Sequence, residues 1–138
     1  MKKVFADIEI INLPDLLMAG RGYMDQSEVK RMRVRARVDD EVITLCINEN
    51  LQEFLQLPLC GKKPVILANG QRVECDVVGP VEIRFKNRDA TCNAWVLPGD
   101  SEPLLGMIPL EEMDVLIDPV RQELIVNPAH PDGAVLRV

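Results

Sequence analysis

Residues 31–47, RMRVRARVDDEVITLCI, carry the strongest structural signal in the chain. The first eight of them alternate apolar side chains with arginines, a period of two that is typical of a β-strand with one buried face. The apolar members are Met32, Val34, Ala36 and Val38, and the basic members are Arg31, Arg33, Arg35 and Arg37. The apolar run at 42–47 predicts a second, more fully buried strand. Between the two strands stand three consecutive acids, Asp39-Asp40-Glu41, which form a turn, bind something or do chemistry.

Strand signals continue along most of the chain. The other predicted strands cover residues 4–11, a hairpin at 64–77 that turns at Asn69-Gly70, and residues 81–86, 89–97, 115–117 and 124–126. Residues 12–27 are expected to be an irregular connection with at most a helical turn at 16–19. Gly79-Pro80 is expected to interrupt the chain between two strands.

Two short helices complete the prediction. One is capped by Asn48 or Asn50, where Asn50 and Glu53 fit a capping box, and it is stopped by Pro58. The other covers residues 109–113, and both Met107 and Met113 are expected in the core. The sum is a single all-β domain over residues 1–138, barrel-like or sandwich-like, with a loosely held tail at 127–138.

Length and composition limit the function. A chain of 138 residues, 47% of them hydrophobic, suffices for one domain with its own core. Its net charge of -6 argues against general nucleic-acid binding, which usually requires a basic excess. No apolar run is long enough to cross a bilayer, and the N-terminal MKKVFADIEI lacks the apolar stretch of a secretory signal. We therefore expect a cytoplasmic protein that contacts neither nucleic acid nor membrane.

The cysteines do not indicate a metal site. Cys46, Cys60, Cys75 and Cys92 form no Cys-x-x-Cys pair, and the single histidine, His130, lies in a proline-flanked tail. In strand-like runs a free cysteine behaves as a small hydrophobe. We expect no metal and no cofactor. A divalent-metal site at the three acids is an open alternative, although adjacent strand residues point to opposite faces.

In the order of its elements, the chain resembles the retropepsin-like aspartic peptidases over about residues 30–126. In that family a strand delivers an apolar residue followed by Asp, then Thr or Ser, then Gly, and Val38-Asp39 matches the first half of this motif. The hairpin at 64–77 falls where the family places its flap. Leu104-Leu105-Gly106 matches the apolar-apolar-Gly motif that supports the catalytic loop. The resemblance implies a closed or partly open β-barrel with two short helices.

The resemblance also implies a homodimeric peptidase with Asp39 as the catalytic residue. Each subunit supplies one Asp, and two carboxylates close together about a two-fold axis share a proton. One acts as base on a water while the other donates to the scissile carbonyl, without any cofactor. The partners are then a second copy of the chain and a peptide or protein substrate. The residues expected to contact the substrate are Asp40, Glu41, Val42, Ala68, Asn69 and Gly70.

The motif departs from the family immediately after Asp39. Asp40 stands in place of Thr or Ser, and an ionised carboxylate has no proton to donate across the dimer. Glu41 stands in place of Gly, and its side chain occupies room beside the catalytic group. Three acids per subunit would also raise the proton affinity of the pair. An inactive peptide-binding or dimerisation module of the same fold is therefore the alternative.

Simpler interpretations exist for both charged features. Acids between strands usually lie in a solvated turn, where Asp is common. The arginine stripe, which Lys30 precedes, is typical of the wet face of an antiparallel strand, although it could also grip phosphate or an acidic partner. A small β-domain that resembles the peptidases in architecture alone is a third alternative, because fold does not determine function.

Overall fold

The chain is built mainly from strands. The computed structural model describes residues 3–138, which include the whole of the predicted first strand at 4–11. The strands are β1 (Phe5–Asn12), β2 (Arg31–Val38), β3 (Leu45–Asn48), β4 (Leu59–Ile66), β5 (Arg72–Phe85), β6 (Arg88–Leu97), β7 (Leu104–Leu105), β8 (Val115–Asp118) and β9 (Glu123–Val126). The helices are α1 (Leu13–Gly20), α2 (Glu49–Leu55) and α3 (Met107–Met113), and Gln26–Glu28 form a 3₁₀ turn.

Helix α1 corrects the sequence prediction, which expected an irregular connection there and two helices in all. Asn12 caps the helix by accepting a hydrogen bond from the amide of Asp15 at 3.1 Å, and Pro14 lies in the first turn. Both features favour a helix start, but the short segment has no clear apolar period. None of the helices within residues 3–138 has the length and apolarity needed to cross a bilayer.

Six strands hydrogen-bond in a ring. The order is β1-β2-β7-β3-β6-β5, and β5 pairs back onto β1 from Glu9 opposite Arg84 to Asn12 opposite Val81. β4 extends the sheet beyond β5, and β8 and β9 form a separate two-stranded sheet. The all-β part of the prediction is thereby confirmed.

The core lies inside this ring. On β2, Ala36 and Val38 are buried whereas Arg33 and Arg35 are exposed, as the alternation predicts. The fully buried side chains that meet them from other elements include Ile10, Leu45, Ile47, Val78, Val81, Ile83 and Leu105. Truncating such a side chain typically costs about 2–5 kcal/mol, so the aliphatic core holds the strand ends in place.

β3 begins at Leu45, three residues later than the predicted strand at 42–47. The reason is a competing set of hydrogen bonds. The carbonyl of Ile43 accepts from the amide of Ile108 at 2.9 Å, and that of Val42 is bound in the same way by the start of α3. Both carbonyls therefore accept hydrogen bonds from the first residues of α3 and not from a neighbouring strand.

Gly79-Pro80 does not interrupt the strand as the sequence suggested. β5 runs through it as one strand, and its pairing with β6 shifts register between Val78 and Val81. Gly79 has a φ of +144°, and a Cβ on it would lie 2.7 Å from Oδ1 of Asn93. The dipeptide therefore forms a bulge that bends one long strand.

Asn48, and not Asn50, caps helix α2. Its Oδ1 accepts from the amide of Leu51 at 2.8 Å, and its Nδ2 donates to the carbonyl of Ser101 at 2.9 Å. The capping box predicted at Asn50 is therefore wrong. Asn48 ends β3, starts α2 and ties both to the segment that precedes β7.

The C-terminal tail is hydrogen-bonded to the body, contrary to the expectation that it is loosely held. Asp114, at the end of α3, accepts from Nδ2 of Asn127 at 3.0 Å and from the amide of Val135 at 3.1 Å. Nδ1 of His130 lies 2.6 Å from the same carboxylate. The guanidinium of Arg88 also donates to the carbonyl of His130. The carboxylate of Asp114 thus contacts three residues of the tail.

Candidate functional site

The acidic run follows β2 in a tight loop. The amide of Asp39 donates to the carbonyl of Leu105 at 3.0 Å, which continues the parallel pairing of β2 with β7. Oδ1 of Asp39 accepts from the amide of Glu41 at 3.0 Å, and its carbonyl accepts from the amide of Val42 at 3.2 Å. This is the side-chain turn that Asp commonly makes. Asp39 is held at backbone and side chain, whereas Asp40 and Glu41 are exposed.

The Asp39 loop, residues 39–44, rests on the junction between β7 and α3. Gly106 packs so closely beneath it that a Cβ there would overlap the carbonyl oxygens of Val42 and Thr44. The amide of Met107 donates to the carbonyl of Val42 at 2.7 Å. Only glycine leaves room for this approach of two backbones. The apolar-apolar-Gly segment therefore supports the loop directly.

Arg37 supplies positive charge to the loop. Its Nη2 lies 3.5 Å from Oδ2 of Asp39, and its Nε lies 3.5 Å from Oε2 of Glu102. The three side chains are partly shielded, with 27%, 28% and 40% of their respective surfaces exposed. Within residues 3–138, Asp40 and Glu41 make no ion pair. The loop is thus acidic on balance, and its one cation is engaged by Asp39.

A row of side chains connects the Asp39 loop to the base of the β4–β5 hairpin. The register pairs Cys46 with Trp95 and Trp95 with Val77, so these three stand on one face across β3, β6 and β5. Cys75 follows on the same face, two residues nearer the hairpin tip. Burial, with the neighbouring Cys75 and Asp39, raises the pKa of the Cys46 thiol to about 12. The thiol therefore stays protonated and acts as an apolar wall.

The predicted hairpin is present, with its tip exposed. The amide of Gly70 donates to the carbonyl of Leu67 at 2.8 Å, and Gly70 has a φ of +85°, which suits glycine. Ala68 and Asn69 complete the turn and are also exposed. Among the described residues, no hydrogen bond or ion pair joins this tip to Asp39 or its loop. The structure of one chain therefore does not bring together the two halves of the predicted substrate site.

An apolar surface lies beside the loop, and no sequence pattern predicted it. Ile43, Met107 and Ile108 are 45%, 40% and 45% exposed, at the point where the Asp39 loop meets α3. Met107 was expected in the core, but only Met113 is buried there. These side chains belong to a bent loop and to the first turn of a short helix, which have no period from which a face could be predicted.

The chemistry of the site offers no metal ligand set. Among the described residues, no three His, Cys, Asp or Glu side chains are grouped so that they could hold a metal ion. The cysteines are free thiols, of which Cys46 and Cys75 are buried, Cys92 is half-buried and Cys60 is exposed. The groups available for chemistry in the Asp39 loop are therefore its carboxylates.

Comparison of the sequence with protein-family models and with curated proteins finds no match to either. No relative therefore assigns a role to Asp39 or to its neighbours.

Proposed function

We propose that this chain is a retropepsin-like aspartic-peptidase domain that works as a homodimer, with Asp39 supplying one carboxylate of a catalytic pair. One observation carries the proposal. The Asp39 loop leaves the end of β2 and rests on Gly106, whose missing side chain allows the close approach. An acid-bearing loop above an apolar-apolar-Gly segment is the arrangement that the resemblance implies. The ring of six strands is compatible with the barrel of that family.

The reaction needs two carboxylates, of which the loop of one chain would supply one, that of Asp39. Two Asp39 side chains that meet about a two-fold axis would share a proton, since two negative charges at short distance cannot both persist. The ionised partner would take a proton from the attacking water. The protonated partner would donate to the oxygen of the scissile carbonyl. This chemistry requires no cofactor.

An extended peptide is the proposed substrate. It would lie between the Asp39 loop and the β4–β5 hairpin, along the row formed by Cys46, Trp95 and Val77. Toward the hairpin tip, Val65 and Val73 pair on the same face as Cys75 and Val77 and are half-buried, so they offer apolar surface for such a contact. The residues proposed to contact the peptide are Asp40, Glu41, Val42, Ala68, Asn69 and Gly70.

A second candidate function, peptide binding or dimerisation without cleavage, is favoured by Asp40 and Glu41. Both are exposed next to Asp39, so a two-fold axis through the loop would gather six carboxylates. Two Arg37 side chains would offset only part of that charge. Repulsion would separate the two Asp39 side chains, or it would raise their proton affinity beyond the range that is useful for catalysis. The dimer would then capture a peptide without cutting it.

The test combines assembly with cleavage. Sedimentation equilibrium determines whether the chain dimerises, and a peptide library is incubated from acidic to neutral pH with the natural chain, with Asp39→Asn and with Asp40→Thr/Glu41→Gly. Cleavage that Asp39→Asn abolishes supports the peptidase. Cleavage by the double variant alone supports the non-catalytic candidate. A chain that is monomeric at every concentration, or a folded dimeric double variant that never cleaves, contradicts the descent from an active peptidase.

A further inference from the structure

The outer face of β1, β2 and β5 carries an excess of positive charge. Two shallow depressions of about 350 and 410 Å³ lie on it and share Asp7. The residues that line the two depressions are called the basic face. Its six cationic side chains are Lys3, Arg33, Arg35, Arg84, Lys86 and Arg121, and its three acidic ones are Asp7, Glu9 and Glu123. Because the whole chain has a net charge of -6, positive charge is concentrated here on an otherwise acidic protein.

Part of this positive charge has no internal partner. Arg84 pairs with Glu82 at 2.6 Å, and Arg121 pairs with Glu123 at 3.7 Å. Within residues 3–138, Arg33, Arg35 and Lys86 of the basic face make no ion pair, although the register places Glu9 opposite Arg33 and Asp7 opposite Arg35. These three side chains are exposed, so they are free to meet an anion from outside.

Two of these cations are held in place by aromatic rings. The guanidinium carbon of Arg35 lies 4.5 Å from the ring centre of Phe5, and Nζ of Lys86 lies 5.3 Å from that of Phe85. A cation stacked on a ring keeps its N–H donors available to another partner. A side chain that is already ordered loses less conformational freedom when it binds a partner. This favours a role in recognition, and not that of a face which only contacts solvent.

We infer that the basic face is a docking surface for an acidic polypeptide segment. Carboxylates spaced along such a segment would lie over Arg33, Arg35 and Lys86, with its uncharged positions over Asp7 and Glu9. A nucleic acid would instead press an unbroken row of phosphates against those two acids. This inference does not depend on the proposed function, since the basic face contains no residue of the Asp39 loop or the hairpin tip.

The test is a binding titration in which fluorescence anisotropy of a labelled probe is measured. The probe is a short labelled peptide of alternating Glu and Ser, compared with the same peptide carrying Lys for Glu and with a short oligothymidylate. The variant Arg33→Glu/Lys86→Glu is expected to bind the acidic peptide about tenfold more weakly, and the salt dependence should fall. The matched control Arg21→Glu/Arg137→Glu changes the net charge equally at exposed sites outside both depressions, and should bind as the natural chain does.

Three results would overturn the inference. The first is that the natural chain fails to bind the acidic peptide even at low ionic strength. The second is that the control variant loses as much affinity as Arg33→Glu/Lys86→Glu, which would reduce the effect to net charge. The third is that the oligothymidylate binds as tightly as the peptide, which would assign the face to nucleic acid. Circular dichroism confirms beforehand that both variants are folded.

Discussion

The guanidinium of Arg37 lies 3.5 Å from the carboxylate of Asp39, two residues later in the chain, and also 3.5 Å from that of Glu102. Arg37 is the last member of the arginine stripe on β2, and unlike Arg33 it is only partly exposed. It therefore joins the proposed catalytic residue to the segment that leads into β7. The charge of the Asp39 loop and the position of that segment depend on the same side chain.

Replacing Arg37 by Met should lower the free energy of unfolding by about 1 kcal/mol, because Asp39 and Glu102 would lose their shared cation while solvent still screens both. Urea unfolding measures the change. Arg33→Met, on the same strand but exposed and outside any ion pair of the described residues, should shift stability by less than about 0.5 kcal/mol. Equal effects of the two variants would contradict a structural role for the Arg37 bridge.

Gly106→Ala should destabilise the chain by about 2–3 kcal/mol, because the new methyl group would overlap the carbonyls of Val42 and Thr44 and force two backbones apart. Thermal unfolding is a suitable measurement. Gly61→Ala provides the matched control, since a Cβ there meets nothing within 4 Å and the residue has no positive φ. If Gly106→Ala proves as stable as the control, the Asp39 loop does not rest on this glycine.

Asn48→Ala should cost about 1–2 kcal/mol, because it removes the cap of α2 at the amide of Leu51 and the bond to the carbonyl of Ser101. Asn50→Ala, in the first turn of the same helix, should have little effect because its side chain is exposed. Urea unfolding of both variants separates the two caps that the sequence left open. A larger loss for Asn50→Ala would contradict the capping seen in the structure.

The hydrogen bonds between the tail and the carboxylate of Asp114 should weaken in acid. Hydrogen bonds from the amide of Val135 and from the side chain of Asn127 hold the pKa of Asp114 at about 2, below its ordinary value of 3.8. A folded-state pKa below the unfolded value stabilises the fold above that unfolded value, so the contribution is lost as pH falls from about 3.8 through about 2. The protection of the Val135 amide from exchange, relative to an unfolded chain at the same pH, should fall over this window.

Asp114→Asn should show fast exchange at Val135 already at neutral pH, since a neutral amide accepts these hydrogen bonds less strongly. Asp132→Asn, an exposed acid of the same tail, serves as the control and should leave exchange at Val135 unchanged. Exchange that is equally slow in all three proteins would contradict the role of Asp114.

Local patterns made several elements predictable. The alternation in β2 and the turn signal at Asn69-Gly70 each depend on a few neighbouring residues, and both elements are found where they were expected. The errors occur where a distant segment competes. β3 is shortened by the start of α3, and β5 passes through Gly79-Pro80 because β1, β4 and β6 pair along its length.

The candidate site also contains some features that were predicted and others that depend on distant segments. Asp39 and Gly106 were selected from the resemblance, and their contact through Val42 is present in the structure. The Arg37 bridge to Glu102 and the row from Cys46 to Val77 were not predicted. Each joins residues of different strands, and no spacing within one segment reveals such a contact.

The sequence by itself determined that the chain is built mainly from strands, which face of β2 is apolar and where the hairpin turns at Asn69-Gly70, because backbone conformation and side-chain alternation are set by near neighbours. Only the tertiary structure decided that β5 returns to β1 to complete the ring, that the Asp39 loop rests on Gly106, and that the tail is held by Asp114. These depend on pairing between distant segments, where the burial of a shared core outweighs local preference.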